Sequence, residues 1–394
     1  VAVIRTNDGI RQNCCYILPM FRRVTLSVPK IVVTLALLLV SIAAVITPAH
    51  ASPTTPGRTA PSSPDGRCSG MTSSPRIGAS PGATLAAASN ADLNAELDLA
   101  RDAGLFSVRV DIDWSTIERN RGQFDWANTD RVLAAVVAHG MCPLGVIAYT
   151  PQWARVPEAM GDSHSRPADP NVYAAFARTV VTRYRDHMNL WEIWNEPNIV
   201  GFWKPKPDVA AYSIMLRAAY QAIKQVQPAS TVLSGGLAPA TDNGTNMNPK
   251  SFLSAMYQLG ANKYFDAFNV HPYTYPWLPN DPSTQEWSTA FALWAMRDTM
   301  VAGGDAGKQI WLTEFGAPTG TASNAVSEQV QADSIVVVMD AVLGNAWIGP
   351  SYVYGLRDAG TNLADPEQNF GLLRRDFTPK IAYGRVAAFT GAYS

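Results

Sequence analysis

The sequence predicts an α/β fold, a single (β/α)8 TIM barrel. Three observations carry this. Short apolar runs alternate with helical patterns eight times over roughly 320 residues, and strands that alternate with helices build a parallel sheet. Eight such units in one domain fit a closed barrel of ordinary size. The glycine-rich phosphate turn that usually follows the first strand of an open doubly wound sheet is missing. No sequence repeat of about 20–50 residues lies under the rhythm.

In chain order, the first strand is expected at Arg76–Ala79, followed by a helix at Ala91–Ala103. Ser107–Asp111 is the second strand, where Arg109, Asp111 and Asp113 alternate and so share one face. A helix at Asp130–Ala138 leads to the third strand, Pro143–Tyr149, and a helix at Asn171–Arg185 to the fourth, Leu190–Asn195. Pro197 stops that strand and leaves Asn195 and Glu196 at its carboxyl end. The helix Val209–Val226, the strand Thr231–Gly236 and the helix Pro249–Leu259 come next. The sixth strand, Phe265–Val270, runs into His271-Pro272-Tyr273 and is followed by a helix at Thr289–Val301. The seventh, Ile310–Glu314, carries Glu314 at its tip with Gly316 just beyond. A helix at Ala325–Leu343, the strand Ser351–Tyr354 and a helix at Pro379–Ala388 complete the barrel.

Composition bounds the function. Hydrophobic residues make up 47% of the 394 and charged residues 16%, which suits a compact fold with a large core. The net charge of −1 gives no reason to expect nucleic-acid or acidic-membrane partners. Residues 1–51 read as an N-terminal extension and secretory signal. Arg22, Arg23 and Lys30 precede the apolar run Ile31–Ile46, and a small-residue cleavage pattern ends at Ala51. Met20 is the obvious initiator of that signal, and no membrane partner is expected once it is removed. Residues 52–69 form a Pro/Ser/Thr-rich linker, and residues 70–394 the barrel domain. Export to an oxidising compartment makes Cys68 and Cys142, placed just before the first strand and at the start of the third, a candidate disulfide.

In a parallel barrel the functional face is where the strands end. Glu196 and Glu314 fall there, on strands four and seven, which stand nearly opposite one another. Breaking a glycosidic bond needs one protonated carboxyl for the leaving oxygen and one ionised carboxylate for the anomeric carbon. Glu192 shares parity with Glu196 but lies roughly 13 Å deeper at about 3.3 Å per residue, and reads as a buried, paired structural group. Asn195 could hydrogen-bond a sugar hydroxyl, Tyr273 could orient the nucleophile and His271 could touch a substrate hydroxyl. An inward Arg109 needs an anionic partner. Glu314 is the favoured one, with Asp111, Asp113 or Glu192 as alternatives, and the two aspartates read as structural. Trp114, Trp153, Trp203, Tyr275 and Trp277 follow strand ends and together suit a carbohydrate groove.

Two other chemistries are set aside. Gly78-Ala79-Ser80-Pro81-Gly82 matches a nucleophile elbow in form, but Pro81 lacks the N–H that the oxyanion needs, and no helix is expected close behind. The five histidines show no metal-ligand spacing, and the cysteines make no zinc pattern. No metal or organic cofactor is required by two-carboxylate chemistry.

Over roughly residues 75–390 the chain resembles the clan A glycoside hydrolases, a group spanning cellulase-like family five and xylosidase/iduronidase-like family thirty-nine. The likeness rests on Trp194-Asn195-Glu196-Pro197 and Thr313-Glu314-Phe315-Gly316. Arg109, His271-Pro272-Tyr273 and the tail Phe370-Gly371-Leu372-Leu373 with Thr378-Pro379-Lys380 support it. The resemblance implies a retaining enzyme with Glu196 as acid/base and Glu314 as nucleophile. Cellulase-like relatives usually carry a Trp at the end of strand eight, where this chain has Tyr354, which leans towards the family thirty-nine side. The expectation is a secreted retaining glycosidase acting on a poly- or oligosaccharide. A carbohydrate-binding protein on a degenerate barrel and a transglycosylase are the alternatives.

Overall fold

The computed structural model describes residues 76–391. The predicted signal, linker and Cys68 lie outside them. Cys142 is disulfide-bonded, and every other cysteine of the chain falls among the residues not described.

Eight parallel strands form one sheet: β1 Ile77–Ser80, β2 Ser107–Asp113, β3 Cys142–Ala148, β4 Leu190–Asn195, β5 Thr231–Gly236, β6 Phe268–Val270, β7 Ile310–Phe315 and β8 Ile348–Tyr354. They are ordered β5-β4-β3-β2-β1-β8-β7-β6. The two outer strands close on each other through parallel bridges Leu233–Ala267 and Leu237–Val270. The amide of Ser234 donates to Ala267 O at 3.3 Å, and that of His271 to Leu237 O at 2.9 Å. The sheet is therefore a barrel, with helices following its strands: α1 Asn90–Asp102, α2 Ala127–Ala138, α3 Pro170–Tyr184, α4 Val209–Val226, α5 Pro249–Gln258, α6 Thr289–Ala302, α7 Glu328–Gly344 and α8 Ile381–Gly391. Among the described residues no helix is long and apolar enough to cross a membrane.

Local chemistry sets the helix starts. Ser89, Asp169, Asp208, Asn248, Ser288 and Ser327 each accept a hydrogen bond from a backbone amide of the first turn that follows. Such caps satisfy donors that the helix cannot pair internally. The Ser327 cap starts α7 at Glu328 rather than Ala325. A four-residue helical turn at Thr84–Ala87 follows β1, where the sequence predicts none. The elbow stays excluded all the same, because Pro81 still has no N–H to offer.

Burial divides the molecule into layers. The main core lies between strands and helices and includes Trp191, Ile193, Tyr212 and Leu216. A smaller apolar cluster of Leu144, Leu190, Leu233, Trp311 and Tyr352 fills the amino-terminal end of the barrel interior. Two residues further along the same faces the interior turns polar. Arg109, Glu192, Asn269 and Thr313 lie there, all buried. Period-two alternation carries each strand from an apolar floor to a polar layer.

Candidate active site

The polar layer is organised by Arg109. Its Nε and Nη2 donate to the two oxygens of Glu192 at 2.8 and 2.9 Å, and Nη2 also donates to Asn195 Oδ1 at 2.8 Å. Nη1 donates to Glu314 Oε1 at 2.5 Å and to Ser80 Oγ at 3.4 Å. Of the four partners weighed from sequence, Glu314 and Glu192 are bonded and Asp111 and Asp113 are not: one guanidinium fork joins the structural Glu192 to the strand-tip Glu314. A bidentate fork satisfies two buried carboxylates together, which a point charge could not do.

Backbone irregularities aim the two strand-tip glutamates. Trp194 and Glu196 have φ of 71° and 46°, left-handed conformations that cost a non-glycine residue about 1–3 kcal/mol. On β7 the pairing with β8 slips between Leu312 and Phe315, so Glu314 follows the inward Thr313 and still lines the cavity. Strict alternation would turn it away. Both strains are local, and both sit where a carboxylate must face the opening.

His271 bridges the pair. Its Nδ1 is hydrogen-bonded to Glu196 Oε1 at 2.8 Å and lies 3.6 Å from Glu314 Oε2. Nε2 is 3.1 Å from Thr313 Oγ1, which Asn269 holds from the other side. Tyr273 donates its hydroxyl to Glu314 Oε2 at 2.8 Å. One ligand atom from each of Glu196, His271 and Glu314 lies within 4.8 Å of the others. That spacing would also admit a cation, but the Arg109 guanidinium already compensates Glu314, and a metal ion there would meet a like charge.

Electrostatics separate the two carboxyls. Burial pushes Glu196 above its ordinary 4.5, and the His271 bond opposes this without overcoming it. Burial acts in the same direction on Glu314, but the His271 charge, Arg109 and the Tyr273 hydroxyl together hold it below 4.5. Burial lowers the His271 imidazole, yet the carboxylates of Glu314 and Glu196 outweigh that and raise it. Burial and the Glu314 charge raise the Tyr273 hydroxyl, which keeps it a proton donor. The two environments push the carboxyls apart, favouring the proton on Glu196 and ionisation of Glu314.

A cavity of about 710 Å³ opens above them. Arg109, Asn195, Glu196, Tyr273, Glu314 and Tyr354 line it, as the sequence leads one to expect, and so does Tyr275. Other sequence expectations need correcting. His271 is fully buried, with both nitrogens engaged, and is not among the residues lining the cavity. Trp203 is 1% exposed, packed edge-on against Trp194 and Tyr212, and offers no face to a sugar. Trp114 is buried against Phe176 and donates to Glu118 at 2.6 Å. Trp153 donates to the Glu118 carbonyl, packs against Trp114 and lies under Arg121, outside the cavity lining. Trp277 is exposed and reaches the cavity only by its edge contact with Trp287, which does line it.

Two lining carboxylates were not found from sequence. Asp111, read there as structural, faces the cavity from β2, whereas Asp113 is structural, capping the turn that begins at Trp114. Glu367, in the loop after β8, stands at the rim 3.5 Å from the Tyr354 hydroxyl. Strand parity carried the signal for Asp111, which is in phase with Arg109. Glu367 left none, because its place depends on a loop path.

Residues 75–348 match the family model described as Cellulase (glycosyl hydrolase family 5). Among solved structures, a family 39 glycoside hydrolase from Bacteroides cellulosilyticus WH2 superimposes with a TM-score of 0.65 at 22% identity, over 80% of this chain and 63% of that one. A monomeric beta-xylosidase from Caulobacter crescentus CB15 gives 0.61 at 19%, over 79% and 66%. A GH5_18 structure from Streptomyces cattleya in complex with GlcNAc gives 0.61 at 19%, over 82% and 80%. The chain covers less than two thirds of the first two, and at these identities the likeness is one of fold.

Proposed function

From the premise that this chain belongs to the cellulase family, glycosyl hydrolase family 5, we propose that it is a retaining glycosidase acting by double displacement on a poly- or oligosaccharide. Glu196 protonates the leaving oxygen. Glu314 attacks the anomeric carbon and forms a glycosyl-enzyme intermediate. Glu196, now ionised, takes a proton from the water that attacks this intermediate and releases the sugar.

The single observation that carries the reading is the spacing of an electrostatically unlike pair. Ligand atoms of Glu196 and Glu314 lie within 4.8 Å of each other. Retaining enzymes hold their carboxyls about 5–5.5 Å apart, whereas inverting ones need about 6.5–9.5 Å to admit a water. His271 Nδ1 hydrogen-bonds one oxygen of Glu196 and so holds that carboxyl in place. Arg109 and Tyr273 keep Glu314 ionised and fixed. The Asn195 carbonyl is taken by Arg109, which turns its amide hydrogens to the cavity as donors for a sugar hydroxyl.

The charged, apolar and small-residue succession of residues 20–51 supports export of the mature chain. An intact mass of the secreted product that starts elsewhere than Ser52 argues against that cleavage.

The mechanism is tested by Glu314→Ala with and without sodium azide on an aryl glycoside that the wild type cleaves. Turnover is lost in water and returns with azide as a glycosyl azide of inverted configuration. Normal activity in this variant refutes the assignment. Binding of glycans without cleavage by the wild type leaves a carbohydrate-binding protein. Transfer to sugar acceptors in preference to water identifies a transglycosylase with the same residues.

A further inference from the structure

Asp111 is a carboxylate of the cavity for which neither the fold nor the mechanism gives a use. It shares a strand face with Arg109 and lines the cavity beside Tyr149 and Glu314, half-buried. Among the described residues no hydrogen-bond donor reaches it, and all the Arg109 nitrogens are committed elsewhere. Burial pushes its carboxyl up to about 6, against the pull of Arg109. A carboxylate withdrawn from water without donors is unfavourable, and a ligand that supplies donors relieves it. Paired hydroxyls of a sugar are such donors.

The charge around it narrows the choice of sugar. The charged residues lining the cavity are Arg109, Asp111, Glu196, Glu314 and Glu367. Setting aside Glu196 as the proton donor of the mechanism, three carboxylates line the cavity against one guanidinium that has no donor to spare. No lysine and no second arginine lines the cavity among the described residues. A uronic acid or a sulfated sugar would bring a further negative charge with nothing to meet it.

We infer that Asp111 is a substrate-binding residue whose carboxylate accepts from sugar hydroxyls, and that Asp111 and Glu367 together restrict the cavity to sugars without an acidic group. The inference rests on the glycosidase reading above and names the substrate class of that site.

The test measures kcat/KM on 4-nitrophenyl β-glucoside, β-xyloside, β-mannoside and β-galactoside, with the β-glucuronide and β-galacturonide as anionic counterparts. Wild type, Asp111→Asn and Glu367→Gln are compared. The wild type is expected to favour a neutral glycoside over its uronide by about 100-fold or more. Asp111→Asn is expected to lose about 10- to 100-fold on the best neutral substrate and to narrow that preference. Glu367→Gln, at the exposed rim, is expected to narrow the preference by raising cleavage of the uronide. Thermal melting of each variant separates a binding loss from a folding loss. If neutral substrates are cleaved and Asp111→Asn matches the wild type, the Asp111 assignment fails while the Glu196/Glu314 chemistry stands. Equal cleavage of uronides, or an unchanged preference in Glu367→Gln, overturns the charge argument. A wild type that neither binds nor cleaves any neutral glycoside of the panel overturns both readings.

Discussion

Replacing Arg109 by lysine tests how the barrel interior holds its nucleophile. The substitution keeps the positive charge and removes the fork. Arg109 makes five side-chain contacts: two to Glu192, one each to Asn195 and Glu314, and a long one to Ser80. An ammonium has three donors on one atom and cannot serve Glu192 on both oxygens, Asn195 and Glu314 together. At least two charge-assisted bonds go unmade, each worth about 1.5–3 kcal/mol, for a total of about 3–6 kcal/mol. Glu192 is the more deeply buried acid and keeps the ammonium, so the loss falls mainly on Glu314. If half of it appears in the transition state, kcat/KM drops by roughly 10–100-fold. Glu314 then ionises less readily, and the acid limb of the kcat/KM profile moves to higher pH. The assay is kcat/KM against pH on one aryl glycoside, paired with thermal melting. A variant within twofold of wild type, with its acid limb unmoved, would refute this account of Arg109.

Glu196→Ala is expected to slow cleavage of poor leaving groups by about 100–10,000-fold while barely affecting 2,4-dinitrophenolate, which needs no proton; equal loss on both denies the general-acid role. Gly236→Ala places a Cβ 2.1 Å from His271 Nε2, so the imidazole or the strand carrying it must shift. Activity then falls by about 10-fold or more, whereas wild-type rates in that variant would show that His271 does not position the carboxylates. Because Glu314 folds with its carboxyl below 4.5, it contributes stability that is present above 4.5 and lost as the pH falls through the lower folded value. Glu314→Gln should therefore lose less melting temperature than wild type between about pH 6 and about pH 3, and an identical loss contradicts the depressed carboxyl.

The barrel was legible because apolar runs and helical patterns differ in period, and eight alternations admit few closed solutions. β4, β5 and α4 fall on the residues expected. β6 starts three residues late, at Phe268, because Phe265 belongs to the core beneath it and Asp266 instead caps the β5 edge through Val232 N. The glutamate pair was legible from strand ends and a stopping proline. Its geometry was not, because left-handed residues at Trp194 and Glu196 and the slip on β7 arise only when neighbours fix the backbone. Aromatic residues after strand ends misled for Trp114 and Trp203, since a ring that stacks on a sugar and one that packs under a loop have the same sequence position. Asp111 was read as structural, a possible partner of Arg109, whereas in three dimensions Arg109 spends its donors elsewhere and leaves Asp111 facing the cavity.

The most direct measurement is mass spectrometry of peptides from protein inactivated with a 2,4-dinitrophenyl 2-deoxy-2-fluoro-β-glycoside matched to its best substrate. Such a reagent slows release of the glycosyl-enzyme more than its formation. The account predicts one added sugar on the peptide bearing Glu314. A sugar on Glu196 or elsewhere, or steady turnover of substrate that never leaves a covalent adduct, would contradict it.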